Sequence, residues 1–284
     1  MKIISFEKEG RPSFGLATDN GVIDAGAELS SEFGDLRGLL EANAIERLRD
    51  FESRPVDGPL DSVRLLPVVP NARKILCVGI NYMGHIKETG REPPDYPVLF
   101  TRFADSFVGH DEPLVRPQVS EDFDYEGELA VVIGKTARHV SREDAMDYVA
   151  GYTCCNEGSV RDYQFHTIQF TAGKNFYRSG SLGPWMVAAG PDVDPTSFHL
   201  QTRINGAVLQ DSPVDDLCFD IGQLIEYCSI WTPLNPGDII VSGTPGGVGR
   251  VRKPPIWMKP GDIVEVDISG VGVLRNTIAD EEAA

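Results

Sequence analysis

Short strand-like segments separated by glycine and proline turns dominate the chain from about residue 75. Apolar and β-branched runs recur in ELAVVIG (128–134), GDIIVSG (237–243) and GDIVEVDISGVGVLRNTI (261–278). Two longer segments, SREDAMDYVAGY (141–152) and FDIGQLIEYCSI (219–230), are predicted to be helices. Strands outnumber helices and do not alternate with them, which excludes a doubly wound sheet and favours a mixed, β-rich α+β fold.

The N-terminal part of the chain has a different pattern. Residues 1–26 contain two strand-like runs joined by an Asn-Gly turn, and residues 34–51 carry an apolar stripe typical of a helix. Residues 54–73 contain four prolines without a clear period, which is typical of a linker. We therefore expect a small N-terminal α+β domain with its linker over residues 1–70, and a larger domain over residues 71–284.

Charge and apolar patterning narrow the choice of partners. The chain has 26 Lys and Arg against 43 Asp and Glu, a formal net charge of −17, and no basic run, so nucleic acid and anionic membranes are not expected partners. We see no secretion signal and no apolar stretch of the ~18 residues that a membrane span needs, which predicts a cytoplasmic protein. The five cysteines form no C-x-x-C pair and are expected to be free thiols.

The stretch DYEGELAVVIG, residues 124–134, places two glutamates at the start of a predicted strand. Because side chains alternate along a strand, Glu126 and Glu128 are expected on the same face. Two neighbouring carboxylates repel each other, and the apolar run after them leads into a core, so a divalent cation is the simplest compensation. A pair of glutamates on a solvated strand face is the alternative.

The stretch GYTCCNEGSVRDYQ, residues 151–164, ends an apolar segment in a dense polar cluster. A third carboxylate, from Glu157, would complete a site made only of oxygen ligands. Such a site suits Mg²⁺ or Mn²⁺, with Ca²⁺ as a further option, rather than zinc. An ordinary helix-capping loop, with Arg161 and Asp162 as a structural ion pair, is the alternative.

The glycine-rich stretch SGTPGGVG, residues 242–249, follows a predicted strand. It lacks the Gly-Lys-Ser/Thr of a P-loop and does not match G-x-G-x-x-G, so it gives little support for nucleotide binding. Its backbone N–H groups and Thr244 could hold a small carboxylate. A tight turn that needs positive φ is the alternative.

The stretch GINYMGHIKETG, residues 79–90, contains a histidine and a glutamate three positions apart. On a helix this spacing puts His85 and Glu88 on one face within hydrogen-bonding reach, where the carboxylate orients the imidazole and raises its basicity. Such a pair can activate a water molecule, although a surface ion pair is the alternative. The surrounding glycines and prolines indicate a short mobile helix, a composition typical of a lid.

In order and wording, these motifs resemble the fumarylacetoacetate hydrolase family over roughly residues 70–280. The matching segments are GINYMGHIKE, PVLFTRF, DYEGELAVVIGK, GYTCCNEGSVRDYQ, GKNF, LGPW, NGAVLQ, PGDIIVSGTPGGVG and KPGDIVEVDISGVGVLRN. The resemblance implies that residues 71–284 form a catalytic β-roll domain around a metal site and that the protein is a homodimer.

The resemblance also implies roles for particular side chains. His85 and Glu88 would form the water-activating dyad on a lid, and Glu126 and Glu128 fall where the family places two metal ligands. The remaining expected roles are metal ligand for Glu157, oxyanion donors for Lys174 and Gln164, and substrate-carboxylate binding for Arg161, Thr244 and Arg102.

The predicted function is divalent-metal-dependent hydrolysis of a carbon–carbon bond in a 2,4-dioxo acid of the acylpyruvate or fumarylpyruvate type. Such a substrate carries a carboxylate beside an oxo group, which can chelate the Mg²⁺ or Mn²⁺, and cleavage expels a pyruvate enolate that the metal stabilises. The same chemistry serves 2-oxo-acid decarboxylases and isomerases of unsaturated dicarboxylates, which stay open as alternatives. A non-enzymatic 2-oxo-acid binding protein is a further alternative, which the presence of both dyad residues disfavours.

Two positions depart from the family pattern. The third ligand is usually an aspartate, and the extra methylene of Glu157 would move the carboxylate by about 1.5 Å, close to one C–C bond length. Arg102 follows LFT, where relatives often have lysine. Because arginine prefers a planar, bidentate carboxylate partner, we expect a difference in the preferred substrate.

Overall fold

The computed structural model describes residues 1–90 and 92–282. Its helices are short. They are α1 (Gly26–Phe33), α2 (Leu36–Glu41), α3 (Met83–Thr89), α4 (Arg161–Gln164), α5 (Thr171–Lys174) and α6 (Ile221–Trp231). Short 3-10 helices cover Ile45–Phe51, Leu60–Ser62, Ala104–Ser106, Ala145–Tyr148, Pro195–Ser197, Val214–Asp216 and Gly249–Val251.

Strands account for most of the regular structure. They are β1 (Lys2–Lys8), β2 (Arg11–Thr18), β3 (Gly21–Asp24), β4 (Arg64–Leu65), β5 (Ile75–Gly79), β6 (Val98–Thr101), β7 (Phe107–Val108), β8 (Leu114–Arg116), β9 (Phe123–Asp124), β10 (Gly127–Ile133), β11 (Val149–Asn156), β12 (Ser159–Val160), β13 (Gly180–Ala188), β14 (His199–Ile204), β15 (Ala207–Pro213), β16 (Ile239–Val241), β17 (Ile263–Ile268) and β18 (Gly272–Asp280). The expected mixed, β-rich α+β fold is confirmed.

The larger sheet has the order β3-β2-β1-β13-β11-β10-β16-β5-β6, with β4 paired to β1 and β7 paired to β13. Most neighbours are antiparallel, whereas β16 with β5 and β13 with β7 are parallel. A second sheet has the order β15-β14-β17-β18-β8, and β9 pairs with β12 separately.

Strand β10 is buried on both faces, which explains its continuous apolar run. Ala130 and Val132 belong to a core cluster shared with the N-terminal elements. Leu129 and Val131 alternate with them and belong to a second cluster, which includes Leu200 of the five-stranded sheet. Strand β10 therefore packs between two hydrophobic cores.

The N-terminal segment joins the larger sheet directly. The expected hairpin joins β2 and β3, but its two turn residues are Asp19 and Asn20 rather than Asn20 and Gly21, because Gly21 pairs with Thr18. Strand β1 pairs with β13 through Ile3 and Met186. Ile3 and Leu39 pack in the same cluster as Cys77 of β5. Residues 1–70 thus share a sheet and a core with the rest of the chain, and the domain boundary near residue 70 stays a prediction.

Of the three segments predicted to be helical, one forms a helix as expected, one is divided, and one does not form an α-helix. The prediction for residues 219–230 is confirmed by α6, whose Asp220 forms a capping box with Gln223. Residues 34–51 divide into α2 and a 3-10 turn. The helix predicted over 141–152 is wrong: only Ala145–Tyr148 forms a 3-10 turn, because the chain then pairs as β11 with β10 and β13. Within the described residues, we find no helix long and apolar enough to cross a membrane.

Candidate active site

The three predicted metal ligands meet at one end of the β10–β11 pair. Glu126 immediately precedes β10, Glu128 is its second residue, and Glu157 immediately follows β11. Gly127 is opposite Asn156 in the antiparallel register, and the backbone N–H of Glu157 donates to the Glu126 carbonyl oxygen at 2.7 Å. One carboxylate oxygen from each glutamate lies within 4.8 Å of the others. Strand pairing therefore assembles the acidic cluster, and the longer Glu157 side chain reaches it.

Buried cations partly neutralise these carboxylates. Lys174, at the end of α5, places its Nζ atom 2.5 Å from Oε2 of Glu126 and 3.0 Å from Oε2 of Glu157. Arg161 places its NH1 atom 2.7 Å from Oε1 of Glu126 and its NH2 atom 2.7 Å from Oδ2 of Asp124. All of these side chains are buried, so the charges interact in a poorly screened environment.

The pKa values of the glutamates diverge accordingly. Burial alone would raise the pKa of Glu126, but the charges of Lys174 and Arg161 outweigh it and lower the pKa to about 2. Burial, followed by the charges of Glu157 and Glu126, raises the pKa of Glu128 well above its usual range. Glu128 accepts a hydrogen bond from the Gly243 backbone N–H at 2.6 Å, which only partly offsets this effect. Glu128 is thus the least stabilised carboxylate of the cluster.

The donor set fits a divalent cation. Oε1 of Glu157 is buried without a hydrogen-bond partner among the described residues. The cluster contains four buried carboxylates, those of Asp124, Glu126, Glu128 and Glu157. In the part of the chain that the structure describes, two cations, Arg161 and Lys174, form ion pairs with these carboxylates, and these ion pairs leave a negative excess. Carboxylate oxygens without nitrogen or sulfur ligands suit Mg²⁺, Mn²⁺ or Ca²⁺.

The predicted dyad lies on α3, and His85 lines the same cavity as the three glutamates. Nδ1 of His85 is 3.3 Å from Oε2 of Glu88, as the spacing predicts. The same Oε2 atom accepts a hydrogen bond from the Gly247 backbone N–H at 3.1 Å. At the other end of the helix, the Gly84 backbone N–H donates to Oδ2 of Asp216 at 2.8 Å. Helix α3 is therefore anchored at both ends to distant segments.

One cavity contains both groups. It has a volume of about 90 Å³. Its charged and polar lining residues are His85, Glu126, Glu128, Glu157, Arg161, Gln164, Lys174, Thr244 and Arg250. Its apolar wall includes Val78, Phe100, Phe165, Phe170, Val248 and Val251. The cavity thus combines a histidine base, a metal-binding carboxylate cluster and an apolar wall.

Three residues that are predicted to contact substrate, Arg161, Gln164 and Thr244, line the cavity and also form hydrogen bonds within the protein. NH1 of Arg161 donates to Oε1 of Gln164 at 2.8 Å, which leaves the amide nitrogen of Gln164 as its donor end. Oγ1 of Thr244 donates to the Gly127 carbonyl oxygen at 3.0 Å and accepts from Nε2 of Gln210 at 2.8 Å. Their positions are compatible with the predicted substrate contacts, and these roles stay predictions.

Arg102 lies outside the set of residues that line the cavity. Its buried guanidinium donates to the Gly158 carbonyl oxygen at 3.0 Å, to Ser179 Oγ at 2.7 Å and to Ser106 Oγ at 3.1 Å. It also stacks on Phe107, with Cζ 4.4 Å from the ring centroid. Because these contacts engage its donors within the protein, Arg102 is left out of the substrate site proposed below.

Several residues that shape this site were not predicted from the sequence. Oδ1 of Asp124 accepts from the Gly249 backbone N–H, and Oε1 of Gln210 accepts from the Gly127 backbone N–H. Asp216 anchors the dyad helix, and Arg250 lines the cavity. Asp124 and Arg250 lie within or directly beside the quoted motifs, but neither has a distinguishing local pattern. The Gln210–Gly127 and Asp216–Gly84 contacts join residues more than 80 positions apart.

The fold and this constellation define an enzyme family. Residues 74–279 match the family model described as fumarylacetoacetate (FAA) hydrolase C-terminal. The chain belongs to the fumarylacetoacetate hydrolase family, and the expected fold is confirmed.

Individual relatives represent different reactions. A Xenopus laevis protein, oxaloacetate tautomerase fahd2, mitochondrial, is 35% identical over 98% of this chain and 90% of its own. The structure of 5-carboxymethyl-2-hydroxymuconate delta-isomerase from Mycobacterium smegmatis matches with a TM-score of 0.79 and 31% identity, covering 100% of both chains. Maleylpyruvate hydrolase from Sphingobium sp. SYK-6, in complex with manganese(II) ion and pyruvate, matches with a TM-score of 0.81 and 26% identity, covering 99% of this chain and 100% of that chain. The family therefore includes tautomerases, isomerases and hydrolases.

Proposed function

We propose that this enzyme moves a proton at the carbon next to the oxo group of a 2-oxo acid, with keto–enol tautomerisation of oxaloacetate as its reaction. The observation that carries this proposal is the placement of His85 in the same cavity as Glu126, Glu128 and Glu157. A base and a cation-binding cluster in one cavity are the parts that enolisation needs. Hydrolysis would additionally need a positioned water and a second oxyanion site.

The 2-oxo-acid head is placed at the carboxylate cluster, with its C3 carbon toward His85. A divalent cation held by Glu126, Glu128 and Glu157 would supply Lewis acidity to the carboxylate and oxo oxygens of that head. His85 takes the C3 proton, the C–H electron pair forms the C2=C3 bond, and the C2–O π electrons move to the oxygen. Protonation of that oxygen gives the enol, and the reverse steps restore the ketone.

The neighbouring residues support this proton transfer. Glu88 holds the imidazole by its Nδ1 atom and stabilises the cation formed when His85 accepts a proton. Lys174 keeps its ammonium charge because its carboxylate partners outweigh the effect of burial and raise its pKa. With the amide nitrogen of Gln164, it presents a donor for charge that develops on the substrate oxygen.

The comparison with Xenopus oxaloacetate tautomerase supports the choice of oxaloacetate. That relative extends over 98% of this chain, so the similarity includes the N-terminal segment as well as the matched family domain. The isomerase structure is a relative from a neighbouring reaction class.

The hydrolase activity expected from the sequence is the second candidate, and the Glu88 carboxylate behind His85 favours it. His85 would deprotonate a water that attacks C4 of a 2,4-dioxo acid. Collapse of the tetrahedral intermediate breaks the C3–C4 bond, and the electron pair leaves with C3 as a pyruvate enolate. Protonation of C3 then gives pyruvate and a carboxylic acid. Maleylpyruvate hydrolase, whose structure is a complex with manganese(II) ion and pyruvate, is a structural relative of this protein and supports this candidate.

The test is a comparison of four reactions on one purified enzyme with Mg²⁺ or Mn²⁺. Enol-to-keto conversion of oxaloacetate is followed by absorbance, acylpyruvate cleavage by pyruvate release, decarboxylation by CO₂ release, and isomerisation of an unsaturated dicarboxylate by NMR. The proposal predicts that oxaloacetate tautomerisation has the highest kcat/KM. A higher kcat/KM for acylpyruvate cleavage would replace it with the hydrolase.

We also propose Mg²⁺ or Mn²⁺ as the physiological metal and a homodimer as the assembly. The oxygen-only donor set supports the metal, and the dimer is what the resemblance to the family implies. Metal titration of chelator-treated protein and light scattering test the two proposals. The expected absence of nucleic-acid and membrane partners stays a prediction. The cytoplasmic location also stays a prediction, because the name of the Xenopus relative describes that protein as mitochondrial.

A further inference from the structure

Gln210 is a buried polar residue at an inward-facing position of β15. Side chains alternate along this strand, so that Gln210 is 1% exposed whereas the next residue, Asp211, is exposed. In the antiparallel register, Gln210 is opposite Thr202 of β14, which is also buried. The two side chains therefore lie on one face of the five-stranded sheet, and both contact Gly127 at the start of β10.

One end of the Gln210 amide holds the backbone between two of the predicted metal ligands. Gly127, which lies between Glu126 and Glu128, donates its backbone N–H to Oε1 of Gln210 at 2.9 Å. A Cβ atom at Gly127 would lie only 2.0 Å from Oγ1 of Thr202, so the close approach of the two sheets requires glycine here. The second sheet thus fixes the backbone from which both carboxylates extend.

The other end of the amide holds the glycine-rich loop. Nε2 of Gln210 donates to the Pro245 carbonyl oxygen at 2.9 Å and to Oγ1 of Thr244 at 2.8 Å. Backbone groups fix this orientation of the amide, because the Gly127 N–H can only donate and the Pro245 carbonyl oxygen can only accept. Oγ1 of Thr244 is therefore the acceptor for Gln210, and its own hydrogen is directed to the Gly127 carbonyl oxygen at 3.0 Å.

These contacts form a closed ring of hydrogen bonds between Gly127, Gln210 and Thr244. All three residues are buried. Thr244 lines the cavity, whereas Gln210 lies outside the set of lining residues. Without the Gln210 amide, the Gly127 N–H and the Pro245 carbonyl oxygen would lose this partner, and a buried polar group without a partner is costly. The backbone on both sides would then move to regain hydrogen bonds, which would displace the glutamates and the loop together.

We propose that Gln210 is a positioning residue that aligns the metal-binding glutamates with the glycine-rich loop, although it contacts neither metal nor substrate. This inference rests on the proposed function for placing the 2-oxo-acid head at the carboxylate cluster. The Oε1 end acts on the metal site through Gly127, and the Nε2 end acts on the substrate site through Thr244. Because the two ends have different partners, substitutions can separate their effects.

The first measurement is Mn²⁺ affinity, by titration of chelator-treated wild type, Gln210→Met and Gln210→Glu. Methionine is similar to glutamine in length but lacks the amide, and Gln210→Met should weaken metal affinity by about tenfold or more, as for other residues that orient metal ligands. Glutamate keeps an acceptor for the Gly127 N–H, and Gln210→Glu should bind Mn²⁺ at least as tightly as wild type. A merely structural residue would lower the unfolding temperature and leave the metal affinity of the folded protein unchanged, and that result in Gln210→Met would overturn the inference.

The second measurement is affinity for pyruvate, which carries a 2-oxo-acid head, at saturating Mn²⁺. Gln210→Met and Thr244→Val should each weaken pyruvate binding several-fold. The double variant should bind pyruvate within about twofold of Gln210→Met alone, because both substitutions act on the same hydroxyl. Losses that multiply in the double variant, or wild-type affinity in either single variant, would overturn the inference.

Gln201→Met and Gln201→Glu are the matched controls. Gln201 lies on β14, is half-buried, and its amide contacts Asp211 and Arg203 on the outer face of the same sheet. These variants remove the same amide or add the same charge, and they should keep wild-type affinity for Mn²⁺ and pyruvate. A loss in Gln201→Met as large as that in Gln210→Met would show that the effect is not specific to Gln210.

Gln210→Glu keeps the inference testable if Gln210→Met does not fold. It lacks the donors to Thr244 and Pro245, so it should retain metal affinity but bind pyruvate about tenfold more weakly than Gln201→Glu. Equal pyruvate affinity in these two variants, or a wild type that binds neither Mn²⁺ nor pyruvate, would overturn the inference. A wild type that binds both ligands but does not tautomerise oxaloacetate would end the proposed function, while the titrations would still decide the role of Gln210.

Discussion

Oε2 of Glu88 lies 3.3 Å from Nδ1 of His85, and the same oxygen accepts the backbone N–H of Gly247 at 3.1 Å. One carboxylate oxygen therefore orients the base and fastens its helix to the glycine-rich loop. The glycine-rich loop, which sequence analysis considered for carboxylate binding, also helps to position the dyad. Loop and helix together form one wall of the cavity.

Glu88→Gln should lower kcat for oxaloacetate tautomerisation by about tenfold, less than loss of a general base, for which ~10²–10⁴ is typical. The amide can still accept from Gly247 and position the imidazole, but it does not stabilise the imidazolium. Steady-state kinetics with saturating metal measure the effect. Lys87→Gln, an exposed neighbour on α3, is the matched control and should keep wild-type kcat. A Glu88→Gln enzyme with wild-type kcat would show that Glu88 only secures the helix.

Asp216 should act as a positioning residue for His85. Its carboxylate accepts the Gly84 N–H at the start of α3, and loss of such a helix-end contact typically costs ~0.5–2 kcal/mol of local stability. Asp216→Ala should accelerate amide hydrogen exchange in residues 83–88 and reduce kcat/KM several-fold. Asp216→Asn should restore both because the amide oxygen is still an acceptor.

Asp215→Ala is the matched control for this prediction. Asp215 is the adjacent residue, is exposed, and carries the same charge. Equal exchange rates in Asp215→Ala and Asp216→Ala would exclude a specific anchoring role for Asp216.

Chelation should abolish activity, and Mg²⁺ or Mn²⁺ should restore it. Without a cation, the carboxylates of the cluster repel each other, and no Lewis acid stabilises the charge on the enolate oxygen. Glu157→Gln should weaken metal affinity by at least about tenfold, in the range known for perturbed metal sites, while the far-UV circular dichroism stays unchanged. Glu121→Gln, an exposed carboxylate, is the control. Unchanged metal affinity in Glu157→Gln would place the third ligand elsewhere.

Because of Glu128, the metal-free protein should become more stable as the pH falls from neutral toward the ordinary pKa of a glutamate, ~4.3. The pKa of Glu128 in the fold is raised well above its usual value by burial and by the neighbouring glutamates. In this window the folded protein therefore takes up a proton that the unfolded chain does not, and the free energy of unfolding rises. Glu126, whose pKa is lowered to about 2, loses its contribution only at lower pH.

Thermal unfolding of chelator-treated wild type and Glu128→Gln across this pH range tests the assignment. Glu128→Gln should be more stable than wild type at the upper end of the range and should show a smaller pH dependence, because it has no charge to bury. Parallel pH profiles for the two proteins would mean that other groups control the stability.

The sequence predicted those parts of the site that depend on local geometry. The spacing of His85 and Glu88 specified a helical pair, and the strand period placed Glu126 and Glu128 together. The approach of Glu157 could be expected because its apolar segment ends in a polar cluster. The first two predictions use the periods of a helix and of a strand, and each pair or cluster is found in the structure.

Other features depend on contacts between distant segments. Asp216 reaches Gly84 across 132 positions, and no local pattern marks this pair. The guanidinium of Arg102 is held inside the protein by Gly158 and Ser179, although its sequence context favoured a substrate contact. The helix predicted from Ser141 onward gave way to β11, because pairing with two neighbouring strands outweighs local helix signals.

In the proposed reaction, His85 transfers the C3 proton of a 2-oxo acid bound in the cavity that the carboxylate cluster also lines. The most direct test is the rate of oxaloacetate enol-to-keto conversion by wild type and His85→Ala at saturating Mg²⁺, with acylpyruvate cleavage and oxaloacetate decarboxylation assayed on the same preparations. We predict that tautomerisation, and any acylpyruvate hydrolysis, falls by ~10²–10⁴-fold in His85→Ala. Any decarboxylation should fall much less, because the carboxylate cluster remains. A wild-type tautomerisation rate in correctly folded, metal-bound His85→Ala would show that His85 is not the base.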